Sequence, residues 1–116
     1  MKIDLKTFGF IFENLCIRDL KVYSNSQGGE IKYYRDRNGL EADAVLILDS
    51  NEYCLIEFKL GSSGIEEGAK HLLKLKDIIL SNNLKPPTFE MIITGTEMAY
   101  TRKDGIKVVP IGCLGV

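Results

Sequence analysis

The chain has 116 residues, of which 45% are hydrophobic and 27% are charged, and its formal net charge is −1. The length and composition indicate one globular domain with a single core. The net charge excludes a global electrostatic attraction to nucleic acid, so nucleic-acid binding would need a local basic groove. The three cysteines lie among apolar residues without zinc-ligand spacing, which predicts buried, reduced thiols in a cytoplasmic protein.

The first predicted element is a helix over residues 4–23, which ends before the helix-breaking segment 24–29. Apolar side chains surround nearly its whole circumference, and its one polar stripe is formed by Asn14, Arg18 and Lys21. We therefore expect a contiguous exposed apolar patch on this helix, or a partner that covers it. Glu13 projects away from the polar stripe, so we expect a partly buried carboxylate that needs a partner or a metal.

A three-stranded meander is predicted next, with strands over 30–36, 39–48 and 52–61 and turns at 36–39 and 49–51. The alternation of strand side chains places Asp43, Glu57 and Lys59 on one face of the sheet. The other face is apolar and is formed by Leu40, Ala42, Ala44, Leu46, Leu48, Cys54, Ile56, Phe58 and Leu60. Pairing Leu48 with Glu52 sets Asp43 opposite Glu57, whereas a shift of two residues sets Asp43 opposite Lys59.

Either register brings two carboxylates and a lysine together at the end of the hairpin far from its turn. Carboxylate oxygens suit Mg²⁺ or Mn²⁺, which proteins usually hold through one or two carboxylates plus water and phosphate oxygens. A neighbouring lysine can orient a water molecule or stabilise developing negative charge. The same pattern is also typical of the solvent-exposed face of an antiparallel sheet, and the sequence leaves both interpretations open.

A second helix is predicted from about Ile65 to Asn82, with Ser63 and Glu66 spaced as a capping box. Lys76 falls at the centre of its apolar face, where the side chain would extend to solvent, pair with a buried carboxylate, or reach Asp43 and Glu57. His71, the single histidine, points outward in this pattern and receives no role.

The remaining elements are a strand and a hairpin. The near-continuous apolar run of residues 89–94 (FEMIIT) predicts a strand buried on both faces. Residues 98–102 and 106–111 form a terminal hairpin around the turn 103–105. A helix between strands 52–61 and 89–94 favours a right-handed crossover that makes these two strands parallel.

The order helix, three strands, helix, strand, followed by the hairpin, is similar to the αβββαβ core of the restriction-endonuclease-like fold, an α/β (α+β) mixed sheet flanked by helices. Asp43 followed by Glu57-Phe58-Lys59 resembles the PD-(D/E)XK nuclease signature, with Ala42 in place of its proline. More specifically, the chain resembles the C-terminal domain of unknown function carried by many prokaryotic AAA+-type ATPases. The matching stretches are 12–24, 33–46, 56–61, 71–77 and 108–115.

This resemblance implies a metal-dependent nuclease-like domain, spanning residues 1–116, that follows an ATPase domain in a longer protein. Asp43 and Glu57 would hold Mg²⁺ or Mn²⁺, and Lys59 would act near the attacking water. Glu13 would be a further member of the metal shell, and Lys76 is a second additional candidate for the catalytic site. The sequence contains no phosphate loop, so no nucleotide site is expected in this chain.

Two other functions remain open at this point. One is a catalytically silent interaction or regulatory domain that packs on the ATPase core or self-associates through helix 4–23. The other is a domain that binds nucleic acid, including DNA, without cutting it. No membrane partner is expected, because no apolar run approaches the length needed to span a bilayer.

Overall fold

The computed structural model describes residues 5–26, 28–35, 41–48 and 52–113, and the side chains of 11–22, 24–26, 28–32, 42–48 and 52–112. The predicted turns at 36–39 and 49–51 lie outside these residues, as do the side chains of Leu40 and Cys113. Within the described part of the chain, no helix is long and apolar enough to cross a membrane.

The elements follow the predicted order closely. They are α1 (Leu5–Ser26), β1 (Glu30–Arg35), β2 (Glu41–Ile47), β3 (Tyr53–Lys59), α2 (Ile65–Ser81), β4 (Phe89–Thr94), β5 (Tyr100–Thr101) and β6 (Lys107–Pro110). The predicted fold class is confirmed: a mixed six-stranded sheet, ordered β1-β2-β3-β4-β6-β5, is flanked by helices. Strand β3 pairs in parallel with β4, as the crossover argument requires, and β5 and β6 form the C-terminal hairpin.

The register between β2 and β3 is the first of the two alternatives. Ala44 pairs with Ile56 and Ile47 with Tyr53, and the backbone N–H of Leu48 donates to the Glu52 carbonyl over 2.7 Å. The recorded ladder ends at Ala44, and the Asp43 side chain lies next to Glu57. The register that sets Asp43 opposite Lys59 is wrong.

Both faces of the central strands are buried. On one face, a cluster of α1 and sheet residues contains Phe12, Cys16, Leu20, Ala44, Leu46, Cys54, Ile56, Phe58, Met91 and Ile93. On the other face, a cluster of α2 and sheet residues contains Ala42, Leu55, Ile65, Ala69, Leu72, Leu75, Ile92, Ile106 and Val108. Strand β4 contributes to both clusters, which confirms its predicted burial on both faces. The face that carries Glu57 is therefore covered by α2, so the interpretation of this face as solvent-exposed is wrong.

A β-bulge interrupts strand β2 at the candidate site. In the pairing with β1, Lys32 lies opposite Val45 but Tyr34 lies opposite Ala42, so Asp43 and Ala44 together face a single residue of β1. Such an extra residue bends the strand and shifts the alternation of side chains beyond it. Ala42 consequently packs in the cluster under α2, although simple alternation predicted it on the same face as Ala44.

Helix α1 has one buried face and one exposed apolar stripe. Phe12, Cys16 and Leu20, spaced four residues apart, form the buried face. Ile11, Leu15 and Val22 lie on another side and are 43%, 38% and 49% exposed. The predicted exposed apolar residues are thus present on α1, although the exposed Arg18 lies between Leu15 and Val22 on the same stripe.

The start of α2 differs from the predicted capping box. Residues Ser62–Gly64 form a 3₁₀ turn that leads directly into the helix, and Gly64 occupies the N-cap position without a side-chain hydrogen bond. Ser63 lies inside this turn, so it is one residue too early to cap the helix, and the predicted capping box is wrong.

The two cysteines whose side chains are described, Cys16 and Cys54, are free and buried, as predicted. Burial raises the pKa of each thiol to about 12, and both are therefore protonated and unreactive at neutral pH.

Candidate functional site

Asp43 is positioned by the bulge in β2. Its Oδ2 atom accepts a hydrogen bond of 2.8 Å from the backbone N–H of Phe58 on the adjacent strand. The side chain is thereby fixed in the gap between β2 and β3, next to Glu57, and it keeps a partly exposed position.

Glu57 is the most deeply buried charged residue of the site, with only 3% of its surface exposed. Removal from water raises its pKa to about 9, and the adjoining Asp43 contributes to this rise through a side-chain hydrogen bond and through its charge. The backbone at Asp43 and the charge of Lys59 act in the opposite direction, and they are the weaker effects. At neutral pH the pair therefore holds a proton unless a cation neutralises both carboxylates.

His71 of α2 also belongs to this site. Its Nδ1 atom contacts Glu57 Oε1, which is buried without a hydrogen bond of ordinary geometry. A ring nitrogen and a carboxyl oxygen face each other in this contact. The prediction that His71 points outward is wrong: its ring is 32% exposed and turns towards the sheet.

A sequence signal for His71 exists in its spacing on the helix. Gly68, three residues earlier, is buried and brings α2 close to the sheet, and Leu75 is buried four residues later. A histidine between these two positions lies at the border of the buried face. Periodicity alone does not show which strand residue it meets there.

Lys59 lies on the same strand as Glu57, where its charge acts on that carboxyl group, and it passes along a channel bounded by two glycines. A Cβ atom added to Gly64 would lie 3.1 Å from Lys59 Cδ, and one added to Gly68 would lie 3.2 Å from Lys59 Cγ. The absence of these side chains leaves room for the lysine to pass along the start of α2. Its Nζ atom lies 3.8 Å from Glu67 Oε1, and the side chain is 29% exposed.

Glu13 does not have the predicted partial burial, because its side chain is exposed. Phe12 fills the adjoining buried position of α1, and the neighbouring Glu13 extends beyond the packed face. Its charge nevertheless acts on Cys16 together with the charge of Asp43, since both raise the pKa of that thiol. Its role in a metal shell stays a prediction.

Lys76 interacts with the carboxyl group of Glu90, and its charge lowers the pKa of that group. Glu90 is a buried residue of β4 whose Oε2 atom has no hydrogen bond among the described residues. Glu90 pairs in the sheet with Leu55, two residues before Glu57 on β3. Of the three predicted environments of Lys76, the structure thus favours the buried carboxylate, and its catalytic role stays a prediction.

A divalent cation fits the Asp43–Glu57 pair in charge and ligand type. In the described part of the chain, no group of three or more His, Cys, Asp or Glu side chains is arranged to hold a metal ion. Two carboxyl groups in direct contact are nevertheless the protein contribution that Mg²⁺ commonly receives, with water and substrate oxygens completing its shell. The two residues that would hold the cation are therefore Asp43 and Glu57.

Comparison with known families shows to which family the chain belongs. The family described as "Domain of unknown function (DUF4143)" matches residues 8–114, which is nearly the whole chain. The chain belongs to the DUF4143 family. No curated protein and no solved structure gave a match. For this DUF4143 domain, any function must therefore be inferred from its own residues.

Proposed function

We propose that this DUF4143 domain is a metal-dependent phosphodiesterase of the PD-(D/E)XK type, acting on nucleic acid. The observation that carries the proposal is the buried Glu57 carboxyl group in contact with the Asp43 carboxyl group. Two adjacent carboxylates destabilise each other, and a cation that binds both removes this repulsion. A domain that used these residues only for folding would be expected to avoid such a pair.

The residues around the pair supply the other functions that phosphodiester hydrolysis needs. Lys59 is on the same face and strand as Glu57, and its charge is felt by that carboxyl group. When bound, the cation supplies Lewis-acid stabilisation of a phosphate oxygen and lowers the pKa of a bound water molecule. Lys59 then orients the attacking water or stabilises the charge that develops on the phosphate.

The order of elements supports the same proposal. In the restriction-endonuclease-like fold, which this αβββαβ arrangement resembles, the acidic residues lie on the second and third strands of the meander, as Asp43 and Glu57 do here. We further propose that the domain follows an AAA+-type ATPase domain, its partner within a longer protein. Fold alone does not assign an activity, so the argument depends on the site residues.

The test is cleavage of single-stranded and double-stranded DNA by the chain, with and without Mn²⁺. We expect cleavage that requires the metal and that is abolished in Asp43→Asn, Glu57→Gln and Lys59→Met. Lys70→Met is the matched control for Lys59→Met, because it removes one positive charge from an exposed position of α2. Equal cleavage by Lys59→Met and Lys70→Met would assign the activity to a contaminant or to another site.

The exposed stripe of α1 favours a second candidate function. Ile11, Leu15 and Val22 are apolar and exposed on one side of the helix. A catalytically silent interaction domain would use such a stripe to pack on the ATPase domain or on a second copy of itself. This candidate predicts no cleavage at any metal concentration, and association of the chain, measured by sedimentation, that Leu15→Glu abolishes.

A further inference from the structure

Phe58 and His71 each place a nitrogen atom against one carboxyl group of the site. The backbone N–H of Phe58 donates to Asp43 Oδ2, and His71 Nδ1 contacts Glu57 Oε1. One oxygen of each carboxyl group therefore faces a nitrogen provided by the fold. The second oxygen of each carboxyl group, Asp43 Oδ1 or Glu57 Oε2, is the one that would bind the cation of the proposed function.

We infer that His71 is a positioning residue of the metal site, which donates a hydrogen bond from Nδ1 to Glu57 Oε1 and so fixes the direction of Glu57 Oε2. This inference rests on the proposed function, since it concerns the cation held by Asp43 and Glu57. It assigns His71 no contact with the cation or with the substrate.

The physical reason is the freedom of a glutamate side chain. Glu57 has three side-chain torsions, and the last of them is broad, so the carboxyl plane is not fixed by rotamer preference alone. A donor at one oxygen restricts this rotation and satisfies an atom that is otherwise buried without a hydrogen bond. Partners that orient a metal-binding group in this way are typically worth 10- to 100-fold in metal affinity.

The surroundings of His71 support a fixed position for the ring. The preceding turn of α2 approaches the sheet closely at Gly68, where an added Cβ atom would lie 3.4 Å from Ile92 Cδ1. Leu72, the next residue along the chain, is fully buried and anchors the same turn. The backbone of α2 at His71 is therefore held by packing, and the ring needs only its own two torsions to keep the contact.

The experiment compares His71→Leu with His71→Asn. Leucine removes the donor and keeps bulk, whereas the Nδ2 atom of asparagine can replace Nδ1 as a donor at the same distance from the backbone. Mn²⁺ affinity is measured by calorimetry on the chain and each variant, and thermal unfolding without metal shows that each is folded. Lys74→Leu, an exposed substitution one turn further along α2, is the control.

We expect His71→Leu to bind Mn²⁺ roughly 10- to 100-fold more weakly than wild type. His71→Asn should remain within about threefold, and Lys74→Leu should equal wild type. Equal affinity of wild type and His71→Leu would overturn this inference and leave the proposed function standing. An equal loss of affinity in His71→Leu and His71→Asn would also overturn it, because the imidazole itself would then be required. Absence of Mn²⁺ binding by wild type would overturn the proposed function and this inference with it.

Discussion

Asp43 accepts a 2.8 Å hydrogen bond from the backbone N–H of Phe58 through its side chain. In an unbroken antiparallel ladder with this register, the same N–H would donate to the backbone carbonyl of Ala42. The bulge in β2 thus replaces one backbone hydrogen bond by a side-chain hydrogen bond. The consequence is that a carboxylate lies between the two strands at the position where Glu57 projects.

The roles assigned to the three central residues predict different effects on metal binding. Asp43→Asn and Glu57→Gln should each weaken Mn²⁺ binding at least tenfold, because each removes a charged ligand. Lys59→Met should bind Mn²⁺ equally or more tightly, because a nearby positive charge opposes cation binding. Calorimetry on the chain measures all three affinities. Weaker binding in Lys59→Met than in the control Lys70→Met would contradict the role of Lys59.

Metal binding should depend on pH through Glu57. Because the pKa of this carboxyl group is raised to about 9 without metal, a cation must displace its proton at neutral pH. The Mg²⁺ affinity should therefore rise by up to about tenfold per unit between about pH 6 and about pH 8.5. Calorimetry in buffers of different ionisation enthalpy should also show release of close to one proton. An affinity that is constant over this interval would argue against Glu57 as a ligand.

The channel for Lys59 can be tested through the glycines that form it. In Gly68→Ala, the new methyl group would lie 3.2 Å from Lys59 Cγ, so the lysine must shift by a few tenths of an ångström. Cleavage should fall by roughly tenfold, since catalysis is sensitive to small displacements of the groups that act on the reacting atoms. The stability should change by no more than about 1 kcal/mol, because alanine favours the helix.

The matched control for this substitution is Gly61→Ala. A Cβ atom at Gly61 meets no atom within 4 Å, and its backbone is extended, with φ of −118°. Its cleavage rate should equal that of wild type. If Gly68→Ala cleaves as fast as Gly61→Ala, the position of Lys59 does not limit the reaction.

Glu90 should make the stability of the fold depend on pH. Burial raises its pKa to about 7, with smaller contributions from Asp104 and Asp77, and Lys76 acts in the opposite direction. Since the folded state holds this proton more tightly than the unfolded state, stability is greatest below about pH 4.5 and is lost as the pH rises through 7. The total loss in the free energy of unfolding should be roughly 3 kcal/mol.

Urea unfolding of wild type and Glu90→Gln measures this contribution, because other titrating groups cancel in the difference between them. The free energy of unfolding of Glu90→Gln minus that of wild type should be larger at about pH 8 than at about pH 5. Lys76→Met should destabilise the fold at the higher pH, where the carboxylate is charged. A difference between wild type and Glu90→Gln that does not change with pH would contradict the burial of a charged Glu90.

The sequence by itself determined the strands and predicted that Asp43 and Glu57 lie on one face of the sheet. Alternation along β2 and β3 required Leu46 and Ile56 to face the same side, since a shift of one residue would expose the apolar face. The sequence left two registers open, and the pairing of Ala44 with Ile56 in the structure selected the one in which Leu48 lies opposite Glu52. The strands and the face that each side chain takes are local properties, set by side-chain period, and they can be read without knowledge of distant contacts.

Only the tertiary structure decided which residues of α2 meet this pair. Helical period places His71 and Lys76 on particular sides of α2. The rotation and height of the helix over the sheet determine which strand residues they meet, and these are Glu57 for His71 and Glu90 for Lys76. Close packing at Gly68, together with the bulge at Asp43, sets that placement. Both depend on how side chains from separate elements fit together in the core, and no spacing within a single element encodes that fit.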